Sequence, residues 1–309
     1  VRVEALTLDY PPRRYIGSEM MTHRLLDALS DAGHFVRVGT STPKHNPGFE
    51  GIAVTPFSWL DHDWADVYLA HADFAGPVLD RDRPVVAICH NADVGVLLSL
   101  RRNTFELVIA NSDDMATTLA EEDVESLVVH PPAPRPAWIS EGDLVTIVNL
   151  NDNKVGRFWE IAAAMPAQRF LAVLGGYGEQ IVPDEIPANV EVIDHVRGHR
   201  MPEEVWSRTR LLLAPSLRES WNMTAAEAIS FGIPVLASDI PAVRENLGPS
   251  ATYLPIDDVD QWVEEIEMAA EPNNTIQLQA TLNYRRYERD LHQFVKAVSA
   301  LGDDHRQAS

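Results

Sequence analysis

The 309-residue sequence predicts an α/β protein built from two doubly wound, Rossmann-like domains facing across a cleft. Short apolar runs alternate with amphipathic helical stretches over residues 1 to 130. A proline-rich segment, residues 130 to 137, then interrupts the pattern. Beyond it the same alternation starts afresh.

In the first half, strands are expected near 2 to 8, 35 to 39, 66 to 70, 84 to 89, 107 to 110 and 127 to 129. Met21, Leu25 and Leu29 recur at helical spacing between the first two, and Gly33 ends that helix. Prolines 131, 132, 134 and 136 forbid a regular helix or a central strand, which makes 130 to 137 the best linker candidate. In the second half, strands are expected near 145 to 149, 170 to 174, 190 to 193, 211 to 214, 234 to 237 and 251 to 254. Residues 256 to 271 and 275 to 301 read as terminal helices. The expected domains are 1 to 135, 136 to 275, and a last helix, 276 to 309.

A formal charge of −21 and a pI near 4.8 disfavour broad binding to a nucleic-acid backbone or an anionic membrane, since both require clustered Lys and Arg. No segment has the uninterrupted apolar length of a membrane span, and the start of the chain reads as a strand rather than a signal sequence. The single cysteine, Cys89, sits in an apolar run, so no intrachain disulfide forms and a cytoplasmic home is expected.

The most informative stretch is 215 to 235, Pro-Ser-Leu-Arg-Glu-Ser-Trp-Asn-Met-Thr-Ala-Ala-Glu-Ala-Ile-Ser-Phe-Gly-Ile-Pro-Val. A buried strand is followed by a loop carrying Glu219 and a short helix carrying Glu227, with Thr224 as a candidate cap and Gly232 as the stop. Helix-start amides favour a diphosphate, and ionised carboxylates accept hydrogen bonds from hydroxyls. Glu227 also fits a capping box with Thr224, a structural role compatible with a functional one.

This stretch resembles the Glu-x7-Glu signature of retaining GT-B glycosyltransferases, family 4-like, which continues into Gly-x-Pro-Val as Gly232, Pro234 and Val235 do here. The resemblance spans roughly residues 2 to 300 and implies the GT-B architecture. It also implies a donor site in which Glu219 meets the transferred sugar's hydroxyls and Glu227 the nucleotide ribose, while the partial positive charge of the helix start makes the amides of Asn222, Met223 and Thr224 the candidates for the diphosphate. Lys154 matches the lysine of the family's Arg-x4-Lys-Gly phosphate clamp, whereas Asn149 stands at the arginine's position and Gly156 is displaced by one residue. Arg157 or an arginine of the first domain is the candidate substitute.

Gly17 follows the first strand, where the family carries a glycine-rich loop facing the donor, and Gly176 lies in the Gly175-Gly176-Tyr177-Gly178 turn, where the family often has Gly-x-Gly. His71 and His90 end strands at positions where open parallel sheets bind ligands. The resemblance places His90 beside the transferred sugar. The implied activity is metal-independent, retaining transfer of a sugar from a UDP- or GDP-sugar to an acceptor hydroxyl, with Glu219, His90 and Lys154 as the catalytic set. No cofactor beyond the donor substrate is expected. Alternatives are a nucleotide-sugar-binding protein without transfer activity, an epimerase of similar fold, and a glycosyltransferase acting on a modified nucleobase, the one reading in which nucleic acid enters, as a local acceptor. The acceptor and the oligomeric state are not legible.

Overall fold

The computed structural model describes residues 1–42, 46–59, 61, 63–79, 82–91, 93–136, 138–269 and 274–308, so Ala137 of the linker and both Ala270 and Glu271 of the first expected terminal helix lie outside the described residues. The chain divides into two compact units, one of residues 1–132 with 286–309, the other of 133–285.

In the first unit β1 (Arg2–Thr7), α1 (Gly17–Asp31), β2 (Phe35–Thr40), β3 (Ala53–Pro56), β4 (Val67–His71), β5 (Val85–Cys89), α2 (Val94–Arg102), β6 (Leu107–Ala110), α3 (Asp113–Ala120) and β7 (Leu127–Val128) follow in order. They build a parallel seven-stranded sheet, β3-β2-β1-β4-β5-β6-β7. The sequence reading missed β3, whose four residues are too few for an alternation to register. Met21, Leu25, Leu26 and Leu29 of α1 pack on Val3, Ala5, Val67 and Val86. Phe294 and Val298, from the last helix, join that core.

The second unit contains β8 (Leu144–Val148), α4 (Phe158–Ala164), β9 (Phe170–Val173), β10 (Val190–Ile193), α5 (Met201–Glu204), β11 (Thr209–Ala214), α6 (Met223–Ser230), β12 (Val235–Ser238), α7 (Pro241–Leu247), β13 (Ala251–Leu254), α8 (Val259–Met268) and the start of α9 (Asn274–Ala308). Its parallel six-stranded sheet has the order β10-β9-β8-β11-β12-β13.

The uninterrupted apolar run of β11 is explained by burial on both faces. Leu212 and Ala214 pack with Ala225, Ala228 and Ile229 of α6, while Leu211 and Leu213 pack on the other side with Phe158 and Trp262. Among the described residues, no helix is long and apolar enough to cross a membrane.

Candidate active site

In the second sheet the chain runs outward from β8 through β9 to β10, then returns to lay β11 on the other side of β8. The loops leaving β8 and β11 therefore diverge at a topological switch point, where open α/β sheets leave a crevice for ligands. Lys154 lies in the first loop and Glu219 in the second.

Asn153 clasps the two loops together. Its side-chain amide donates to Arg218 O at 2.8 Å, its Oδ1 accepts from Arg218 N at 3.0 Å, and its main-chain oxygen accepts from Leu217 N at 2.8 Å. Gly156, at φ +48°, lies against Pro215 so closely that a Cβ there would be 2.8 Å from the proline Cβ. The glycine displaced by one residue is thus required by this chain's own packing. Asn153 was missed by the sequence reading, although its adjacency to Lys154 was a usable signal.

The clasp sets the Lys154 ammonium against Glu219 Oε1 in a largely buried ion pair, and Ser216 Oγ donates to the same oxygen at 2.8 Å. Burial alone depresses the Lys154 pKa, but the Glu219 carboxylate outweighs it and holds the ammonium above its ordinary value. Lys154, Ser216, Asn222 and Thr224 line one small concavity floored by Val148 and Ala214.

The start of α6 departs from expectation. Asn222, in the left-handed region at φ 69°, is the cap, its Oδ1 accepting from Ala225 N at 3.0 Å. Thr224 is inside the first turn, so the Thr224–Glu227 capping box is not formed. The cause is geometric: the chain reverses at residue 222, and Asn is among the few non-glycine residues that tolerate a left-handed turn. Gly232, at φ +68°, closes the helix as expected. Glu227, released from capping, is half-buried, and burial lifts its carboxyl to about 7 against an opposing hydrogen bond from Trp206.

Asn149 does not face the concavity as a free polar group. It is buried at φ 70°, and its Oδ1 accepts from Gln180 Nε2 at 3.0 Å and Asn151 N at 3.3 Å. Gln180 also accepts from Gly175 N at 2.7 Å and Leu150 N at 2.8 Å, tying the β8 and β9 loops together. A Cβ on Gly175 would collide with Asn149 at 2.1 Å, and one on Gly176 would reach the His195 ring at 2.9 Å. Neither Gln180 nor His195 carried a sequence signal. The suggested substitute Arg157 is partly exposed and paired with Glu160.

In the first unit, the switch point lies between β1 and β4. Gly17 is the first residue of α1, and Glu19 two residues on is buried, its carboxyl raised by desolvation against the Ser18 hydroxyl and Arg14. Thr22 Oγ1 lies 3.0 Å from His71 Nε2, and the His71 ring meets His90 edge-on at 4.7 Å. Burial lowers His71 to about 4 and His90 well below its ordinary value, so both rings are neutral at pH 7. His90 Nε2 is buried without a hydrogen-bond partner among the described residues. Asp93 is the residue before α2 and makes no side-chain cap.

Residues 143–271 match the family model for Glycosyl transferases group 1. A curated relative, the GtfA subunit of UDP-N-acetylglucosamine–peptide N-acetylglucosaminyltransferase from Streptococcus pneumoniae serotype 4, is 30% identical over 90 residues. That alignment covers 27% of this chain and 18% of the relative, so the chain matches only a minor part of that protein's length.

Among solved structures, sucrose-phosphate synthase from Thermosynechococcus elongatus superposes with a TM-score of 0.76 over 100% of both chains at 13% identity. HepE from Anabaena, in complex with UDP-glucose, gives 0.72 at 15% identity, covering 97% of this chain and 99% of its own. AviGT4, a glycosyltransferase of avilamycin A biosynthesis, gives 0.67 at 18%, covering 95% and 96%. At these identities the likeness is one of fold, and that fold is the GT-B architecture with two parallel α/β units.

Proposed function

We propose, from the premise that residues 143–271 are a Glycosyl transferases group 1 domain in a chain of GT-B fold, that this protein is a retaining glycosyltransferase. It takes a sugar from a UDP- or GDP-sugar and passes it to an acceptor hydroxyl without a metal ion. The observation that carries this reading is the Lys154–Glu219 pair at the switch point of the second sheet, whose lysine lines one concavity with Asn222 and Thr224 at the start of α6.

Each group has a chemical task there. The Lys154 ammonium and the amides of Asn222, Met223 and Thr224 would neutralise the departing diphosphate, which is the charge that grows as the glycosidic bond breaks. Glu219 would accept hydrogen bonds from the sugar's hydroxyls, and Glu227, once ionised, from the ribose. Gly176 lies in the turn that would pass close to the nucleotide. In the first unit the reading assigns Gly17 to the donor-facing loop and His90 to the transferred sugar. A neutral His90 with an unpartnered Nε2 suits a hydroxyl rather than a phosphate. The UDP-glucose held by HepE supports a nucleotide sugar as the donor class.

A panel of UDP- and GDP-sugars in a thermal-shift assay tests the donor half of this reading. A ligand at one hundred times its dissociation constant adds about 2.7 kcal/mol of stability. No shift with any donor would sink it. Release of nucleoside diphosphate together with a glycosylated product then tests transfer. One observation favours the second reading, binding without transfer: the residue at the clamp arginine's position, Asn149, is turned inward onto Gln180 and brings no positive charge.

A further inference from the structure

The start of α6 is held from behind by an amide cluster that the family signature does not contain. Asn246, in α7, has no solvent exposure. Its Nδ2 donates to Trp221 O at 2.7 Å and to Asn222 O at 2.9 Å. Two residues of α9 orient it in turn. Asn283 Nδ2 donates to Asn246 Oδ1 and to Asn246 O, each at 2.9 Å, and Gln279 Nε2 donates to Asn246 O at 2.9 Å. Asn283 and Gln279 are themselves buried and bonded to each other at 3.2 Å.

Each of these groups is costly to bury, and apolar residues of the same shape would fill the space without needing partners. What the cluster supplies is direction. A peptide unit is planar and trans, so its N–H points opposite to its C=O. Drawing the carbonyl of Trp221 toward Asn246, and holding that of Asn222 between Asn246 and Ala226 N at 3.2 Å, therefore turns the N–H groups of Asn222 and Met223 the other way. Within the described residues neither N–H has a protein acceptor, and Asn222 is part of the concavity that holds Lys154.

We infer that Asn246 is a positioning residue for the donor's diphosphate, acting through the Trp221–Asn222 backbone and oriented by Asn283. The inference rests on the proposed nucleotide-sugar site and adds to it a device that aims the amides which receive the phosphate. Asn246 touches no ligand.

The unit carries its own control. Asn189 makes a similar clasp away from the site, its Nδ2 donating to Ala162 O at 2.9 Å, Met165 O at 2.9 Å and Gln168 O at 3.0 Å. Calorimetric titration of the whole chain with UDP, GDP and the matching nucleosides is compared for wild type, Asn246→Leu and Asn189→Leu, beside their melting temperatures. The expected result is that Asn246→Leu weakens the diphosphate at least about tenfold while nucleoside affinity stays within about twofold, and that Asn189→Leu lowers the melting temperature with both affinities kept. Should Asn246→Leu fail to fold, Asn283→Ala replaces it, leaving Asn246 in place but unaimed, with a loss of about threefold or more expected for the diphosphate alone. Diphosphate affinity equal to that of Asn189→Leu, or an equal loss for nucleoside and diphosphate, overturns the inference. Binding of neither nucleotide by the wild type overturns the donor reading and this inference with it.

Discussion

Lys154 and Glu219, 65 positions apart in the chain, form a largely buried ion pair in which the ammonium occupies the carboxylate oxygen that Ser216 also reaches. In the proposed reaction both partners have other work, Lys154 on phosphate and Glu219 on sugar hydroxyls. The carboxylate therefore competes with the donor's phosphate for the ammonium.

That competition makes the effect of Glu219→Gln opposite for binding and for turnover. Removing the carboxylate leaves a buried ammonium without its counter-ion, a costly state that an incoming diphosphate relieves. UDP or GDP affinity should rise about tenfold, roughly 1.4 kcal/mol, while turnover with a working donor drops by about 100-fold. Lys154→Ala should weaken the nucleoside diphosphate and spare the nucleoside. Calorimetry on both variants decides it; a Glu219→Gln protein that binds the diphosphate no better than wild type would show that the pair does not compete with phosphate.

Asn222 combines a cap with a left-handed turn, so Ala and Gly should separate the two contributions. Asn222→Gly keeps the turn at a cost of a few tenths of a kcal/mol, whereas Asn222→Ala adds strain to the lost cap and should cost about 2 kcal/mol or more. Thr224→Ala, in the first turn rather than at the cap, should stay within about 0.5 kcal/mol. Urea denaturation of the three variants gives the order directly. A Thr224 variant as damaged as Asn222→Ala would restore the original cap assignment.

Glu227 sets a pH dependence whose sign follows from burial. Its carboxyl is raised from the usual 4.5 to about 7, so between those values the native protein holds a proton that the unfolded chain has released. Its contribution to stability is fully present below pH 4.5 and is lost as pH rises through about 7. Ribose binding runs the other way, because the ionised carboxylate is the better acceptor. Uridine or guanosine affinity should increase from pH 6 to pH 8, and Glu227→Gln should abolish that increase. A wild-type affinity independent of pH, measured by calorimetry in matched buffers, counts against Glu227 as the ribose ligand.

The charge on the donor yields the last expectation. In the proposed reaction, with Asn149 engaged by Gln180 and Arg157 by Glu160, neutralisation of the diphosphate is assigned to Lys154 and the α6 amides. Turnover should persist in excess EDTA. Complete loss in EDTA, restored by Mg²⁺ or Mn²⁺, would mean that a cation supplies the missing charge, since Mg²⁺ readily bridges phosphate oxygens and carboxylates.

The sequence by itself determined the two parallel α/β units, because burial on both sheet faces writes continuous apolar runs such as Leu211–Ala214, and helices write periodic ones such as Met21, Leu25 and Leu29. It also determined that Glu219, Glu227 and Lys154 follow strands of one domain, since short βα connections leave little freedom. Tertiary structure alone decided how they meet. The cap moved from Thr224 to Asn222 because the backbone reversal at 222, and not propensity at 224, sets where the helix begins. Asn149 became a loop tie because Gln180, 31 residues away, reaches its oxygen. The clasp of Asn153 on Arg218 and the aim of Asn246 on Trp221 and Asn222 join residues 65, 25 and 24 positions apart. Side-chain amides have no periodicity and pair by geometry, so their partners exist only once the strands are laid side by side.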